Sequence, residues 1–144
     1  KFLIIDTSGN ILVKPLAEDN NCDPFSEGLS RFIQDQKIGF FNEQGQIVIK
    51  PRFDYAYPFN EGLATVCVGC KKKFYNPQDR DDPHYYYAGG KWGFIDHTGK
   101  IVIPLRYEAT KDFEAGNARV KRNGKWIMID KKGNTVRKLL NEKD

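Results

Sequence analysis

Cysteine is the residue type whose spacing in this chain is most suited to chemistry. Cys67-Val68-Gly69-Cys70 is a Cys-x-x-Cys element, a spacing that can hold zinc, cycle between dithiol and disulfide, or close a small ring. Zinc requires two further ligands. Cys22 and His84 are available, and no second Cys-x-x-Cys completes a matched set. A thioredoxin-like role needs a βαβ context, which the surrounding pattern lacks. Plain strand-end cysteines, a disulfide and a metal pair all stay open. Three cysteines leave one over in any single-disulfide scheme, which fits a reducing compartment. Asp79, Asp81 and Asp82 lack the spaced ligands and glycine of an EF-hand loop and read as a solvated acidic loop. His84 and His97 have no serine or cysteine nucleophile at motif spacing. No catalytic residue, metal site or cofactor is assigned.

The elements that would position these residues are short strands joined by tight turns. Lys91 to Ile103 reads as strand, turn, strand: Phe94 and Ile95 precede Asp96-His97-Thr98-Gly99, and the β-branched run Ile101-Val102-Ile103 follows. Asp at the first turn position can accept hydrogen bonds from the backbone ahead of it, and Gly at the fourth tolerates positive φ. The same grammar recurs at Asp6-Thr7-Ser8-Gly9, Asn42-Glu43-Gln44-Gly45 and Asp130-Lys131-Lys132-Gly133. Downstream sits a second motif, Phe25-Ser26-Glu27-Gly28, Phe59-Asn60-Glu61-Gly62 and Phe113-Glu114-Ala115-Gly116, each opening a third strand. Asn123-Gly124 is the strongest of the short hairpin signals that lead into the next copy.

Gly9 to Gly45 is 36 residues, Gly99 to Gly133 is 34, and Gly45 to Gly99 is 54, or 34 with 20 inserted. Such periods mean an array or solenoid. The expected fold is all-β, with tandem three-stranded antiparallel units stacked as an open array or barrel-like wrap. The units run about 1–36, 37–90 with an insertion at 71–90, 91–124 and a partial 125–144. Phe25, Phe59 and Phe113 are expected in like environments, Trp92 and Trp126 in equivalent packing positions, and Leu139-Leu140 as a folded-back cap.

The string Lys91-Trp92-Gly93-Phe94-Ile95-Asp96, with Gly99 and the later Phe-x-x-Gly, resembles the WG-repeat family of bacterial proteins. The resemblance covers nearly the whole chain. Only the third unit carries the Trp-Gly pair; the others have Phe2-Leu3, Ile38-Gly39 and Trp126-Ile127. The resemblance implies a β-rich scaffold used for interaction, and it implies no shared catalytic residues.

The insertion breaks a regular scaffold, so it is the expected binding element. Lys71–Tyr75 and His84–Tyr87 read as two strands joined by the loop 76–83. Phe74, Tyr75, Arg80, Tyr85, Tyr86 and Tyr87 are the expected partner-binding residues, since aromatic rings offer large contact area. The leading expectation is a non-catalytic module for a protein partner, and the alternative is an envelope or surface module binding glycans through aromatic side chains. An enzyme ranks behind both. Residues 119–144 hold nine Lys/Arg against three Asp/Glu, so they carry +6 of the net +4 and the remainder is −2. That basic end reads as a solvated terminus rather than a nucleic-acid surface. No apolar run approaches the ~20 residues of a membrane span. The chain begins at Lys1, inside a repeat, which reads as a piece of something longer; cytoplasm and envelope both stay open.

Overall fold

In the computed structural model the strands form a series of small antiparallel sheets, and the structure describes residues 4–5, 11–13, 15–18 and 21–138. Chain order begins with four short strands, β1 (Ile4–Ile5), β2 (Ile11–Val13), β3 (Ala17–Glu18) and β4 (Asn21–Cys22). The first complete sheet follows, β5 (Leu29–Gln34), β6 (Lys37–Asn42) and β7 (Ile47–Phe53). Next come β8 (Tyr55–Ala56), β9 (Ala64–Val68), β10 (Lys71–Phe74), β11 (Tyr85–Ala88), β12 (Lys91–Ile95) and β13 (Ile101–Tyr107). The last are β14 (Ala109–Thr110), β15 (Asn117–Arg122), β16 (Lys125–Asp130) and β17 (Thr135–Lys138). No helix occurs among the described residues.

The repeating body is a sheet offset from the repeat in sequence. Each joins the third strand of one sequence unit to the first hairpin of the next: β5-β6-β7, then β8-β9-β12-β13, then β14-β15-β16-β17. The chain leaves β7 through Asp54 and joins the next sheet as β8; β13 hands over to β14 through Glu108 in the same way. The sheets follow one another as an open array, and among the described residues none closes into a barrel.

Local chemistry sets the hairpins. Asn42 Oδ1 accepts the N–H of Gln44 and Gln46 at 3.0 and 2.9 Å, Asp96 Oδ1 those of Thr98 and Lys100, and Asp130 Oδ1 those of Lys132 and Asn134. Gly45, Gly99 and Gly133 close these turns at φ 79°, 89° and 86°. The Gly9 turn lies outside the described residues, as does the Leu139-Leu140 cap.

Glycine in the first strand of a unit has a different cause. β7 and β13 bulge around Pro51 and Pro104, so that Ile38 pairs with Phe53 but Phe40 with Ile49, and Trp92 with Tyr107 but Phe94 with Ile103. The bulge lies directly over Gly39 and Gly93. A Cβ on Gly93 would sit 2.5 Å from Ile103 O, and one on Gly39 2.4 Å from Ile49 O. β17 contains no proline, and its register shift falls at Met128/Ile129, so Ile127 pairs directly with Lys138 where Gly39 and Gly93 lie under a bulge.

The core runs continuously through the array. Phe40, Phe94, Ile49, Ile103, Val66, Val120 and Ile129 are almost wholly buried, and each unit sits on its predecessor. Gly99 lies against Ile49 and Gly133 against Ile103. Phe59 packs edge-on to Phe40 and Phe113 edge-on to Phe94, both at 4.9 Å. Phe25 departs from the expected equivalence: it is 42% exposed and meets Phe41 instead. The first unit differs locally, because it inserts the β3-β4 hairpin between its edge segment and Phe25.

The Phe-x-x-Gly turns are two-residue turns with positive φ at both central positions: Glu27-Gly28, Glu61-Gly62 and Ala115-Gly116. They are also chained to one another. Glu27 Oε1 accepts the N–H of Gly62 at 3.1 Å, and the Glu61 carboxylate accepts those of Ala115 and Gly116, both at 2.9 Å. Each carboxylate meets a cation-capable side chain from the hairpin turn 70 residues on in sequence: His97 Nε2 lies 2.7 Å from Glu27 and Lys131 Nζ 3.6 Å from Glu61. The Gly116 N–H foremost, then that of Ala115 and the Lys131 charge, hold the Glu61 carboxyl below its ordinary range against a smaller effect of burial.

Two outcomes are expected. Gly93→Ala forces a methyl into the Ile103–Leu105 backbone, whereas Gly28→Ala meets open space and suffers only from its positive φ. Gly93→Ala should therefore be the more destabilising by at least about 1 kcal/mol in urea denaturation. Because folding lowers the Glu61 pKa, that carboxylate stabilises the protein above its unfolded-state value of about 4.3, and the contribution fades as pH falls through the folded value. Glu61→Gln should be less stable than the parent at neutral pH and converge with it in acid; a gap independent of pH would reject the charge as its source.

Candidate functional site

The insertion forms the hairpin that its sequence predicts. β10 pairs with β11 in the register Lys71–Ala88, Lys72–Tyr87, Lys73–Tyr86 and Phe74–Tyr85. Alternation along the strands divides it into two faces. Lys72, Phe74, Tyr85 and Tyr87 share one, and Lys71, Lys73, Tyr75, Tyr86 and Ala88 share the other.

The base of the hairpin is braced on several sides. Cys67 and Cys70 form a disulfide, so of the three readings of the Cys-x-x-Cys element the structure holds the covalent one. The connecting residue Gly69 is at φ 81° and lies against Gly90, where a Cβ would come 2.3 Å from Cys70 N. Asp54 Oδ2 accepts the Gly69 N–H at 2.6 Å, and Lys37 Nζ bonds the other carboxylate oxygen. The Lys37 bond first, then the Gly69 N–H, keep the Asp54 carboxyl below its usual range against the opposing effect of burial. Trp92 Nε1–H donates to Gly89 O at 2.9 Å. Trp92 and Trp126 are both buried, in keeping with a packing role.

Tyr87 ties the hairpin to the preceding sheet. Its ring stacks on Tyr55 with centroids 4.0 Å apart and planes 12° from parallel. Arg31 Nη1 donates to the Tyr55 hydroxyl and to Ala56 O, both at 2.9 Å, while Nε and Nη2 grip Asp23 at 2.8 and 2.9 Å. Burial opposes the Arg31 charge, but Asp23 and Tyr55 outweigh it and raise the guanidinium pKa above its ordinary value. Bidentate pairing of this kind makes a buried guanidinium tolerable.

Between the inner face of the hairpin and the first sheet runs a groove of about 400 Å³, floored by Leu16, Ile33, Ile38 and Tyr55 and walled by Lys72 and Tyr85. The expected contact residues therefore separate. Tyr85 and Tyr87 line this groove, with Tyr87 committed to Tyr55 and Tyr85 under the Lys72 ammonium at 4.3 Å. Tyr75 and Tyr86 lie together on the outer face, rings 4.7 Å apart and 64% and 39% exposed, and Phe74 is 48% exposed. Arg80 stands in the exposed tip.

The acidic residues of the tip are occupied in shaping it. Asp82 accepts hydrogen bonds from Asn76 Nδ2 and from His84 N, and its other close neighbour is His84 Nδ1 at 2.6 Å. The Asn76 contact foremost, then those of His84, lower the Asp82 carboxyl to about 2. Asp79 Oδ1 accepts the Asp81 N–H. Among the described residues no group of three His, Cys, Asp or Glu is placed to hold a metal ion. His97 is engaged with Glu27 and with the edge of Phe59 rather than with a nucleophile.

Sequence reasoning missed Tyr55, Arg31, Asp23, Asp54 and Lys37, which seat the hairpin. One signal was available: Arg31 sits in a strand between Ser30 and Phe32 at the position that Thr65 and Arg119 occupy in the other units.

A family model described as WG containing repeat matches residues 4–37, 38–71 and 92–126, more than half of the chain. The hairpin from Lys72 to Gly90 falls between the second and third matched stretches. No curated protein matches the chain, and no solved structure matches it. No helix among the described residues is long and apolar enough to cross a membrane.

If the disulfide fixes the hairpin to its base, replacing both cysteines, Cys67→Ala with Cys70→Ala, should cost on the order of 2 kcal/mol, the loop-closure value for so short a ring. Amide exchange should quicken across 71–88 while the β12–β13 pairing keeps its protection. Equal acceleration in both regions would mean that the bond supports the whole array instead.

Proposed function

The chain belongs to the family of WG containing repeat proteins, and from that premise we propose that it is a non-catalytic scaffold that presents its insertion hairpin to a protein partner. One observation carries the reading: the array spends its core on itself, yet the hairpin holds Phe74, Tyr75 and Tyr86 exposed on a braced mount. Large rings held in place cost little entropy to bury against a partner, which is why such residues dominate binding surfaces. Surface rings scattered singly need no explanation, but adjoining rings on an element outside the repeat do.

The glycan alternative rests on the same side chains, since Trp92 and Trp126 are buried and offer no platform to a sugar. The lysines flanking the rings favour a protein surface over a neutral saccharide.

The discriminating experiment selects displayed random peptides against the intact protein and screens a glycan array in parallel. The expected result is a set of peptide clones whose affinity falls at least about tenfold against Tyr75→Ser with Tyr86→Ser. Those positions are exposed, so the variant should keep the parent's melting temperature. Clones indifferent to the rings, or saccharide binding that depends on them, would overturn the protein-binding reading.

A further inference from the structure

The groove and the free edge of β10 together define the shape and charge of what the hairpin takes. Tyr75 N–H donates to His84 O, so in the antiparallel ladder Tyr75, Lys73 and Lys71 direct their backbone groups to β11. Lys72 and Phe74 therefore turn theirs away. β10 has no strand on that side among the described residues, because its sheet contains only β10 and β11. Such an edge is a template for another strand. Lysines along it discourage pairing with like or neutral strands and favour one that carries carboxylates.

Side-chain alternation divides the requirements. Residues of an added strand opposite Lys71 and Lys73 would stand on the outer face, beside Tyr75 and Tyr86. Those opposite Lys72 and Phe74 would stand on the inner face, towards the groove floored by Leu16, Ile33 and Tyr55. The Lys72 ammonium is already over the Tyr85 ring and Lys71 already feels the Asp54 carboxylate, so Lys73, with Lys71 beside it, is the cation an added strand would chiefly match.

We propose that the partner contributes an extended segment with acidic and aliphatic residues in alternation, which adds to β10 as a third strand. Its carboxylates face Lys71 and Lys73, and its aliphatic side chains enter the groove. The inference rests on the protein-binding reading above and gives it a partner chemistry. Main-chain hydrogen bonds to Lys72 and Phe74 would supply affinity, and the alternating side chains would supply specificity.

The test uses a short labelled peptide alternating Glu with Val, a second with Lys for Glu, and a third with Ser for Val, each titrated into the intact protein by fluorescence anisotropy. The acidic aliphatic peptide should bind more tightly than either control. Lys71→Glu with Lys73→Glu should weaken it by about tenfold or more and should strengthen the Lys peptide. Amide exchange supplies the geometric readout: on binding, the Lys72 and Phe74 amides should slow, because they alone in β10 face the free edge. Equal binding of the acidic and basic peptides, absence of measurable binding by the acidic one, or unchanged Lys72 and Phe74 amides in the bound state would each overturn the inference. Library clones that depend on Tyr75 and Tyr86 but lack acidic alternation would sink this inference while leaving the protein-binding reading intact.

Discussion

The array depends on a carboxylate passed from one turn to the next. Each Phe-x-x-Gly turn holds its two central residues at positive φ, which leaves backbone N–H groups projecting at the tip with no strand to receive them. Glu27 and Glu61 answer that need in the following turn, and the bonds are charge-assisted. Glutamate carries a cost at a positive-φ position. Here the cost is offset by a side chain that reaches the next unit, so the turn residue serves as both bend and tie. The column stops at Ala115, which bends in the same way at φ 51° but has no carboxylate to extend.

A second constraint gives the sheets their shape. Proline in β7 and β13 cannot join the ladder, so each strand bulges and folds over its neighbour. Only a residue without Cβ fits under the fold, and Gly39 and Gly93 supply it. The glycine and the proline are thus two halves of one device, a dozen residues apart in sequence. Unit four shows the relation by contrast, since Ile127 pairs directly with Lys138 on a strand without proline, whose register shift lies at Met128/Ile129 instead. The bulge also turns the chain out of one sheet towards the next, so the device that shapes a sheet passes the chain along the array.

Which parts of this were legible follows from how far each interaction reaches. The Asx-and-glycine hairpins were legible because all their partners lie within four residues. The insertion hairpin was legible because two strand-like runs, Lys71–Tyr75 and His84–Tyr87, flank a polar loop that holds Pro77 and Pro83. The turn at Asp35-Gln36 was not, because both residues take positive φ without glycine and only the pairing of β5 with β6 forces it. Phe25 was misjudged because its motif matches Phe59 and Phe113 while its surroundings do not. The carboxylate ties span 35 and 54 residues, and nothing local marks them except that Glu recurs at the same turn position. Arg31 carries no local mark of its role, because Tyr55 and Ala56, which close around it with Asp23, lie 24 and 25 residues away.

Scaffold and hairpin answer opposite demands, and the join between them shows how both are met. Within the array, aromatic rings are consumed in pairs such as Phe40–Phe59 and Phe94–Phe113, which buries them. The hairpin has no layer of its own to cover it, and a two-stranded ribbon alone is marginal in water. Its order must be imported through its base. The disulfide, the Gly69–Asp54 bond, the Trp92–Gly89 bond and the Tyr87–Tyr55 stack provide that order at one end, on the side facing the first sheet. Everything beyond them, from Phe74 through the tip to Tyr86, is released from any duty to the core. Rings that are held in position but not spent on folding are what a recognition surface requires, and β10, paired only with β11 among the described residues, keeps its other edge open.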